Sequence, residues 1–548
     1  MSTLHSASVA GLAGVASHLV VFIRGEWDGP ILSITKFYMA AEAVLLLGVL
    51  KLSEFEVLDG LSHFLALNLG YWLGLFSSTA LYRTFFHPLR GFPGPPLAKM
   101  SALWSVGQNL KTDFNFHRQV QEMHQTYGDF VRIRPREISI NNADAVRDIH
   151  GPGSVCNKGP WYDNTYPERS LQTTRDKVWH AQRRRVWDQG FTTKAINQYT
   201  PRVREHCQDL MAQLMKRAGT PVNASLWMNY FGFDVMGDLT FGKSFNMLKE
   251  GANAPILDRY VKSLPVPGIG RCVPWLYIII NNLPIISRKR GTFDKWCMAQ
   301  VRERKALGQS RVDLFTYILG DGAEETKTVQ LRDSDLARDS VLAVIAGSDT
   351  TSVTLSGTLY LLAKYPDQQK LLQEELDALV EKCGGEQPSY QMLSEAPFLN
   401  GCINEALRLY PAVQGGLQRL TPPDGATIAG RYIPGDMIIS TPTYSLHREP
   451  RSFPKPNSFL PERWTSSCDQ LVTRKDAFIP FITGTFSCVG KSLAWLEMRM
   501  VLFALASTFS FRFPEGLKKD EIEGLFDKMP DYFTAHAPDL ELVFEVRQ

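Results

Sequence analysis

Three apolar runs fall within the first 81 residues, and they leave that part of the chain few places to go. Residues 7–23 carry no charge, residues 31–50 carry Lys36 and Glu42, and residues 61–81 again carry none. Inside a bilayer no water satisfies backbone groups, so such runs cross as helices, each needing roughly 20 apolar residues. The third run qualifies outright. The first is slightly short, and the second places Glu42 near its middle, where an acid costs on the order of 3 kcal/mol unless it is paired or protonated. One to three spans are therefore expected between residues 1 and 82. Arg83, His87, Arg90 and Lys99 follow the third run, whereas Glu54, Glu56 and Asp59 precede it against Lys51. Positive charge stays inside, so everything after residue 81 is expected in the cytoplasm. No basic stretch precedes the first run, so a cleaved signal peptide is not expected.

Phe92-Pro93-Gly94-Pro95-Pro96 breaks every helix and strand pattern and makes residues 83–97 a stiff hinge. Beyond it, residues 98–548 are expected to form a separate folded part. With 44% apolar and 21% charged residues the chain is globular, and a net charge of +3 makes no case for nucleic acid. Eight cysteines, Cys156, Cys207, Cys272, Cys297, Cys383, Cys402, Cys468 and Cys488, form no C-x-x-C pair. A reduced, cytosol-facing domain without a zinc site is expected.

One of those cysteines has unusual company. Cys488 stands between Gly484 and Gly490, with Phe481 seven residues before it and a helical run from Ser492 after it. The glycines allow a tight turn and close approach to a flat ligand, and Phe481 can roof over the sulfur. Such a cysteine can serve as a thiolate ligand to haem iron, donating electron density that favours O–O cleavage, with following N–H groups tuning the donation. The following helix turns its positive end to the sulfur. A buried structural cysteine is the alternative for this motif alone.

Three further patterns precede it. Trp179 and Arg183 lie one helical turn apart, both donors without acceptor capacity, which suits a carboxylate; a surface helix with a packed tryptophan is the alternative. Arg184 and Arg185 extend a basic face able to steer an acidic partner. Ala346-Gly347-Ser348-Asp349-Thr350-Thr351 sits within a helical stretch running from near Ser334 towards Tyr365. Glycine and paired hydroxyls there conflict with helix propensity, and a hydroxyl bonding back to the preceding turn can open a groove. Glu405 and Arg408 are one turn apart on a helix ended by Pro411, and Pro461-Glu462-Arg463-Trp464 follows downstream. Residues 130–134 and 138–141 alternate like two short antiparallel strands, while about 195–310 is helical in character.

In this order the motifs resemble those of the cytochrome P450 family, with its Phe-x-x-Gly-x-Arg-x-Cys-x-Gly loop, Trp-x-x-x-Arg helix, Ala-Gly-x-Asp-Thr-Thr helix and Glu-x-x-Arg pair. The resemblance covers essentially everything from the proline hinge onward. It implies a mainly α fold with small β-sheets, a triangular prism behind an N-terminal transmembrane anchor. It also implies haem b with Cys488 as axial thiolate beside Phe481 and Gly490, and Trp179, Arg183 and Arg419 on the propionates. Glu405, Arg408 and Arg463 would close into a buried triad behind the haem loop. Thr350 would hold the activated oxygen and its water, and Asp349 would feed protons inward. The chain departs from the pattern at Phe486, where the family has arginine. The implied reaction is insertion of one oxygen atom from O2 into a C–H bond or alkene of an apolar small molecule. Its electrons would come from NADPH-cytochrome P450 reductase, with cytochrome b5 as a second donor, at the cytoplasmic face of the endoplasmic reticulum membrane. The phrases Lys158-Gly159-Pro160-Trp161-Tyr162 and Arg183-Arg184-Arg185-Val186-Trp187 look most like fungal secondary-metabolite hydroxylases, and residues 265–286 fall near the substrate-channel roof. Two alternatives stay open: a haem-thiolate isomerase, dehydratase or peroxygenase needing no external electrons, and a non-enzymatic membrane haem sensor. Asp349 and Thr350 argue against both.

Overall fold

In the computed structural model, which describes residues 3–23, 25–54, 56–252, 264–306, 313–319, 332–465 and 469–547, the apolar runs are three helices. They are α1 (Thr3–Ser17, continued by a wider turn to Phe22), α2 (Ile31–Leu52) and α3 (Val57–Leu81). All three are long and apolar enough to cross a membrane. Glycines let α1 and α3 touch backbone to backbone: a Cβ on Gly70 would lie 2.1 Å from the Ala7 oxygen, and one on Gly74 2.0 Å from that of Gly11. Such small-residue seams are how helices associate in lipid, where close van der Waals packing replaces the hydrophobic effect. Glu42 is paired after all. Asn68 Nδ2 donates to it (2.9 Å), Tyr38 Oη donates to Asn68 Oδ1 (3.1 Å), and Trp72 Nε1 donates to Tyr38 Oη (3.0 Å), so α3 supplies what the acid on α2 requires.

The connection from α1 to α2 lies on the catalytic part. Arg175 Nη1 pairs with Glu26 Oε2 (2.9 Å), Trp275 N donates to Asp28 Oδ1 (3.2 Å), and Arg136 Nη1 donates to the Gly25 oxygen (3.1 Å). Three crossings, unlike one, require that connection to share a side with everything after α3. The proline hinge is also fastened: Arg132 N donates to the Pro93 oxygen (2.7 Å), and a Cβ on Gly94 would lie 2.3 Å from the Arg132 oxygen.

Ten short strands among the described residues serve as edges to a helical body. They are β1 (Phe130–Arg134), β2 (Glu137–Ile140), β3 (Asn157–Lys158), β4 (Pro221–Asn223), β5 (Arg419–Leu420), β6 (Ala426–Ile428), β7 (Arg431–Ile433), β8 (Ile438–Ser440), β9 (Phe509–Arg512) and β10 (Glu541–Val546). The largest sheet runs β1-β2-β8-β5-β3, the second β4-β10-β9, and β6 pairs with β7. In the first, antiparallel pairing sets Lys158 of β3 directly opposite Arg419 of β5.

Six helices position the site: α4 (Lys177–Gln189), α5 (Thr193–Met215), α6 (Ala224–Phe241), α7 (Asp333–Lys364), α8 (Pro397–Leu409) and α9 (Lys491–Thr508). The central α7 is buried along most of its length and packs on α6, α8 and α9. Two shorter helices, Pro265–Cys272 and Pro274–Asn282, fill the stretch expected near the channel roof, each opened by a proline whose missing N–H is no loss at that position. Seven cysteines are free thiols, and Cys468 lies outside the described residues.

Candidate active site

The loop before α9 is a tight return. Cys488 N donates to the Phe481 oxygen (2.9 Å) and Ser487 N to that of Gly484 (3.0 Å). Gly484 has φ of 69°, and a Cβ there would lie 2.1 Å from the His150 oxygen, so no side chain fits. Gly490 needs no special backbone conformation. Its φ of −79° is ordinary, and a Cβ there would stand 3.9 Å from Cys488 Sγ. Glycine at 490 closes the turn at 489–490 without a positive φ and leaves open space beside the sulfur. Cys488 is exposed, but to a cavity inside the protein. Burial pushes its thiol up, opposed by backbone N–H groups of Gly490 and Lys491 at the start of α9. A bound metal ion would override that and hold the thiolate.

The cavity, about 270 Å³, is far beyond a packing void, since a water takes roughly 30 Å³ of liquid. Cys488, Phe481 and Gly490 form one side, and Ala346, Gly347 and Thr350 of α7 another. Thr350 Oγ1 donates to the Ala346 oxygen (2.7 Å), the expected bond to the preceding turn. Gly347 also serves packing, because a Cβ there would sit 2.6 Å from Met236 Sδ on α6. Asp349 is buried beside Thr350 but outside the cavity wall, and burial pushes its carboxyl up to about 7.

The expected pair Trp179 and Arg183 does not reach the cavity; His180 and Arg184 do. The buried stripe of α4 runs through His180, Arg183 and Trp187, which turns Trp179 off the face. Arg183 is spent elsewhere: Nε bonds Asp339 Oδ2 (2.5 Å) and Nη1 the Ile318 oxygen (2.9 Å), fastening α4 to α7. Asp339 also accepts from Trp187 Nε1 (3.3 Å) and Leu171 N (2.8 Å). Arg184 donates to the Ser487 oxygen (2.6 Å) and pairs with Asp188, so only Arg185 remains on an exposed face.

Arg419 lies at the cavity as expected, and sequence reasoning missed its neighbour. Lys158, 4% exposed, and Arg419, 1% exposed, face each other across β3 and β5 and both line the cavity. Like charges directly opposite on a sheet repel. Burial first, then the Arg419 charge, push the Lys158 ammonium well below its usual value, with no carboxylate acting in the other direction. Arg419 Nε and His180 Nδ1 lack hydrogen-bond partners. Phe486 sits among these groups, with Lys158 Nζ 4.7 Å and Arg419 Cζ 5.1 Å from its ring centre and the His180 ring against its edge (4.8 Å). Buried cations and orphaned donors converging beside a free thiol fit a flat, dianionic ligand coordinated by sulfur, which is what haem presents. A third missed group is Glu497 of α9, on the cavity wall with its carboxyl pushed up to about 8 by burial. The signal for it was an acid in phase with Leu493 and Ala494 on an otherwise apolar helix face.

Behind the loop the expected triad is closed. Arg408 donates to Glu405 through Nε (2.9 Å) and Nη2 (2.7 Å), and Arg463 through Nε (3.2 Å). Trp464 Nε1 (2.9 Å) and Leu460 N (3.2 Å) complete the carboxylate's shell.

Comparison with known proteins agrees with this geometry. A family model described as "Cytochrome P450" matches residues 94–533. The cytochrome P450 monooxygenase nodW of Hypoxylon pulicicidum is 40% identical over 546 residues, covering 100% of this chain and 99% of that one. The cytochrome P450 monooxygenase FCK2 of Fusarium pseudograminearum is 37% identical, covering all of both chains. The tryprostatin B 6-hydroxylase of Aspergillus fumigatus is 36% identical, covering 93% of this chain and 91% of its own. A thiol at the mouth of a glycine-bounded loop, a hydroxyl-bearing central helix facing it and likeness along the whole length have one explanation, and the chain belongs to the cytochrome P450 family.

Proposed function

We propose that this cytochrome P450 monooxygenase oxidises an apolar, ring-rich small molecule of fungal secondary metabolism, with haem b held by Cys488. The observation that carries the reading is that Cys488 and the Thr350 turn of α7 face one another across a single apolar cavity. Bound there, haem supplies activation of O2 and insertion of one oxygen atom into a C–H bond or alkene. His180, Arg184, Arg419 and Lys158 are the groups placed to meet its propionates. Tyr162, Leu171 and Leu342 offer apolar wall to a substrate and exclude bulk water. Purified with NADPH-cytochrome P450 reductase, the protein is expected to consume NADPH and O2 together. Product formed without any reductase would favour the electron-independent alternatives.

Thr350 commits its proton to Ala346, which leaves its oxygen free to accept from a water in the cavity. With its carboxyl near 7, Asp349 can both take up and release protons at neutral pH. Thr350→Ala is expected to keep its haem while diverting electrons from NADPH into hydrogen peroxide. Product per NADPH should fall towards the roughly hundredfold that a positioned proton relay contributes. Unchanged coupling would exclude this role.

Phe486 removes a cation, and Lys158 stands over its ring. A charge-assisted hydrogen bond is worth about 1.5 to 3 kcal/mol, so Lys158→Met and Arg419→Ala should each speed haem release roughly tenfold to a hundredfold. Phe486→Arg in the Lys158→Met background should restore retention. Haem per polypeptide after dilution into excess apomyoglobin is the measurement, and wild-type retention by Lys158→Met would refute the assignment.

The proposed setting is the endoplasmic reticulum membrane with α1, α2 and α3 all crossing and the catalytic part in the cytoplasm. The connection at 53–56, which carries no Lys or Arg, then lies on the far side, as the charge rule asks. Arg185 on α4 and Lys491 at the start of α9 give the cysteine face a basic character suited to an acidic flavoprotein donor.

A further inference from the structure

Residues 157–175 wall one side of the cavity through Lys158, Tyr162, Leu171 and Gln172. The segment is tied at its neck. Asn157 Nδ2 donates to the Arg175 oxygen (3.0 Å), Arg175 Nε to the Lys158 oxygen (3.1 Å), and Lys158 Nζ to the Leu171 (3.0 Å) and Gln172 (2.7 Å) oxygens. Arg175 therefore acts as the segment's clasp, and Nη1 also holds Asp163 within it (2.6 Å). The rest of the guanidinium reaches outside. Nη1 (2.9 Å) and Nη2 (3.3 Å) donate to the two carboxylate oxygens of Glu26, in the connection between α1 and α2.

That connection meets the catalytic part again two residues later, where Asp28 accepts from Trp275 N at the start of the apolar helix Pro274–Asn282. The same helix touches both α2 and the wall residues Pro160–Thr165. Membrane connection, cavity wall and apolar helix thus converge at one place. Fork-to-fork pairing of Arg175 with Glu26 fixes orientation as well as distance. Nothing in the chemistry of the cavity needs Glu26, which lies outside its wall.

We propose that Glu26 is a positioning residue for substrate passage: by holding Arg175 it fixes the wall segment at the mouth between bilayer and cavity, so the membrane anchor itself sets how readily an apolar molecule enters and leaves. This rests on the reading that the cavity holds haem; entry of substrate from the membrane side is part of the present proposal. Without Glu26 the clasp keeps Asp163 and the Lys158 oxygen, so the wall stays folded but moves more freely. Entry and exit both quicken.

The test uses the full-length haem protein in phosphatidylcholine vesicles containing 1-dodecylimidazole, whose ring nitrogen shifts the Soret band on reaching iron. Stopped-flow mixing gives the association rate and competition gives the dissociation rate. Glu26→Gln is expected to keep haem per polypeptide and final amplitude unchanged while raising both rates about two- to fivefold, the scale of a single ion pair still in touch with solvent. Glu26→Asp should stay close to wild type. In an Arg175→Gln background, Glu26→Gln should add nothing, because its partner is already gone. Wild-type rates in Glu26→Gln, loss of haem from it, or a full effect persisting in the Arg175→Gln background would each overturn the proposal. Failure of the wild type itself to give a nitrogen-ligated shift would instead count against the haem reading.

Discussion

Cys488→Ala is expected to fold, to bind haem weakly and to lose the red-shifted Soret band of the ferrous carbonyl complex together with all product formation. The fold should survive because the thiol faces the cavity, while the bond that shapes the loop, Cys488 N to the Phe481 oxygen (2.9 Å), belongs to the backbone. Gly484, with φ of 69°, still sets the return. What disappears is the anionic donor to iron, and no other cysteine lines the cavity among the described residues. Neutral or oxygen ligation in its place would not supply the electron density that favours O–O cleavage. Difference spectra of carbon monoxide-treated membranes, with haem measured per polypeptide, test this. A variant that kept the red-shifted band would show that another residue holds the iron.

Glu405→Gln is expected to be the most destabilising conservative change in the catalytic part. Glu405 and Arg408 are fully buried and Arg463 nearly so. One carboxylate accepts from Arg408 twice and from Arg463, Trp464 and the backbone of Leu460. Glutamine offers one acceptor oxygen, turns an amide donor towards a guanidinium, and leaves two buried cations without a counter-charge. Breaking a buried pair from one side costs about 3 to 5 kcal/mol, a large share of the roughly 5 to 15 kcal/mol that holds a protein folded. The damage would spread, because Arg408 also holds the His447 (3.0 Å), Pro456 (2.5 Å) and Ser458 (3.1 Å) oxygens, and Arg463 those of Pro454 (2.8 Å), Lys455 (3.1 Å) and Leu471. These carbonyls belong to the stretch leading into the cysteine loop. Little or no haem-loaded protein is expected at ordinary expression temperature, with faster proteolysis of what forms. A thermal midpoint within a few degrees of wild type would contradict the account. Replacing Glu405, Arg408 and Arg463 together by apolar residues of similar volume should cost less than Glu405→Gln alone, since no charge would then be stranded.

Some of this was legible in consecutive residues. Gly484 is written into the loop by steric necessity and the Glu405–Arg408 contact by one helical turn, because each depends on neighbours a few positions away. The apolar runs likewise declared helices by length alone. What consecutive residues left open was partnership. Helical spacing allows Trp179 with Arg183 or His180 with Arg184 equally well; one residue of phase is 100° of rotation, and only the packing of Trp187 and Arg183 onto Asp339 of α7 chose the second. Lys158 has no local signal, since its meaning lies in sitting opposite Arg419 across a strand pair formed by distant parts of the chain. Gly490 lies in the turn the sequence suggested, and only the structure shows the space it leaves beside the sulfur. Glu42 needed a partner to cross a membrane, and the fold supplies Asn68 of α3; Glu26 carries no signal in the sequence, and its partner Arg175 is given only by the fold. Local sterics and periodicity are short-range and so survive in a linear sequence; the partner of a charge is set by which surfaces the finished fold brings together.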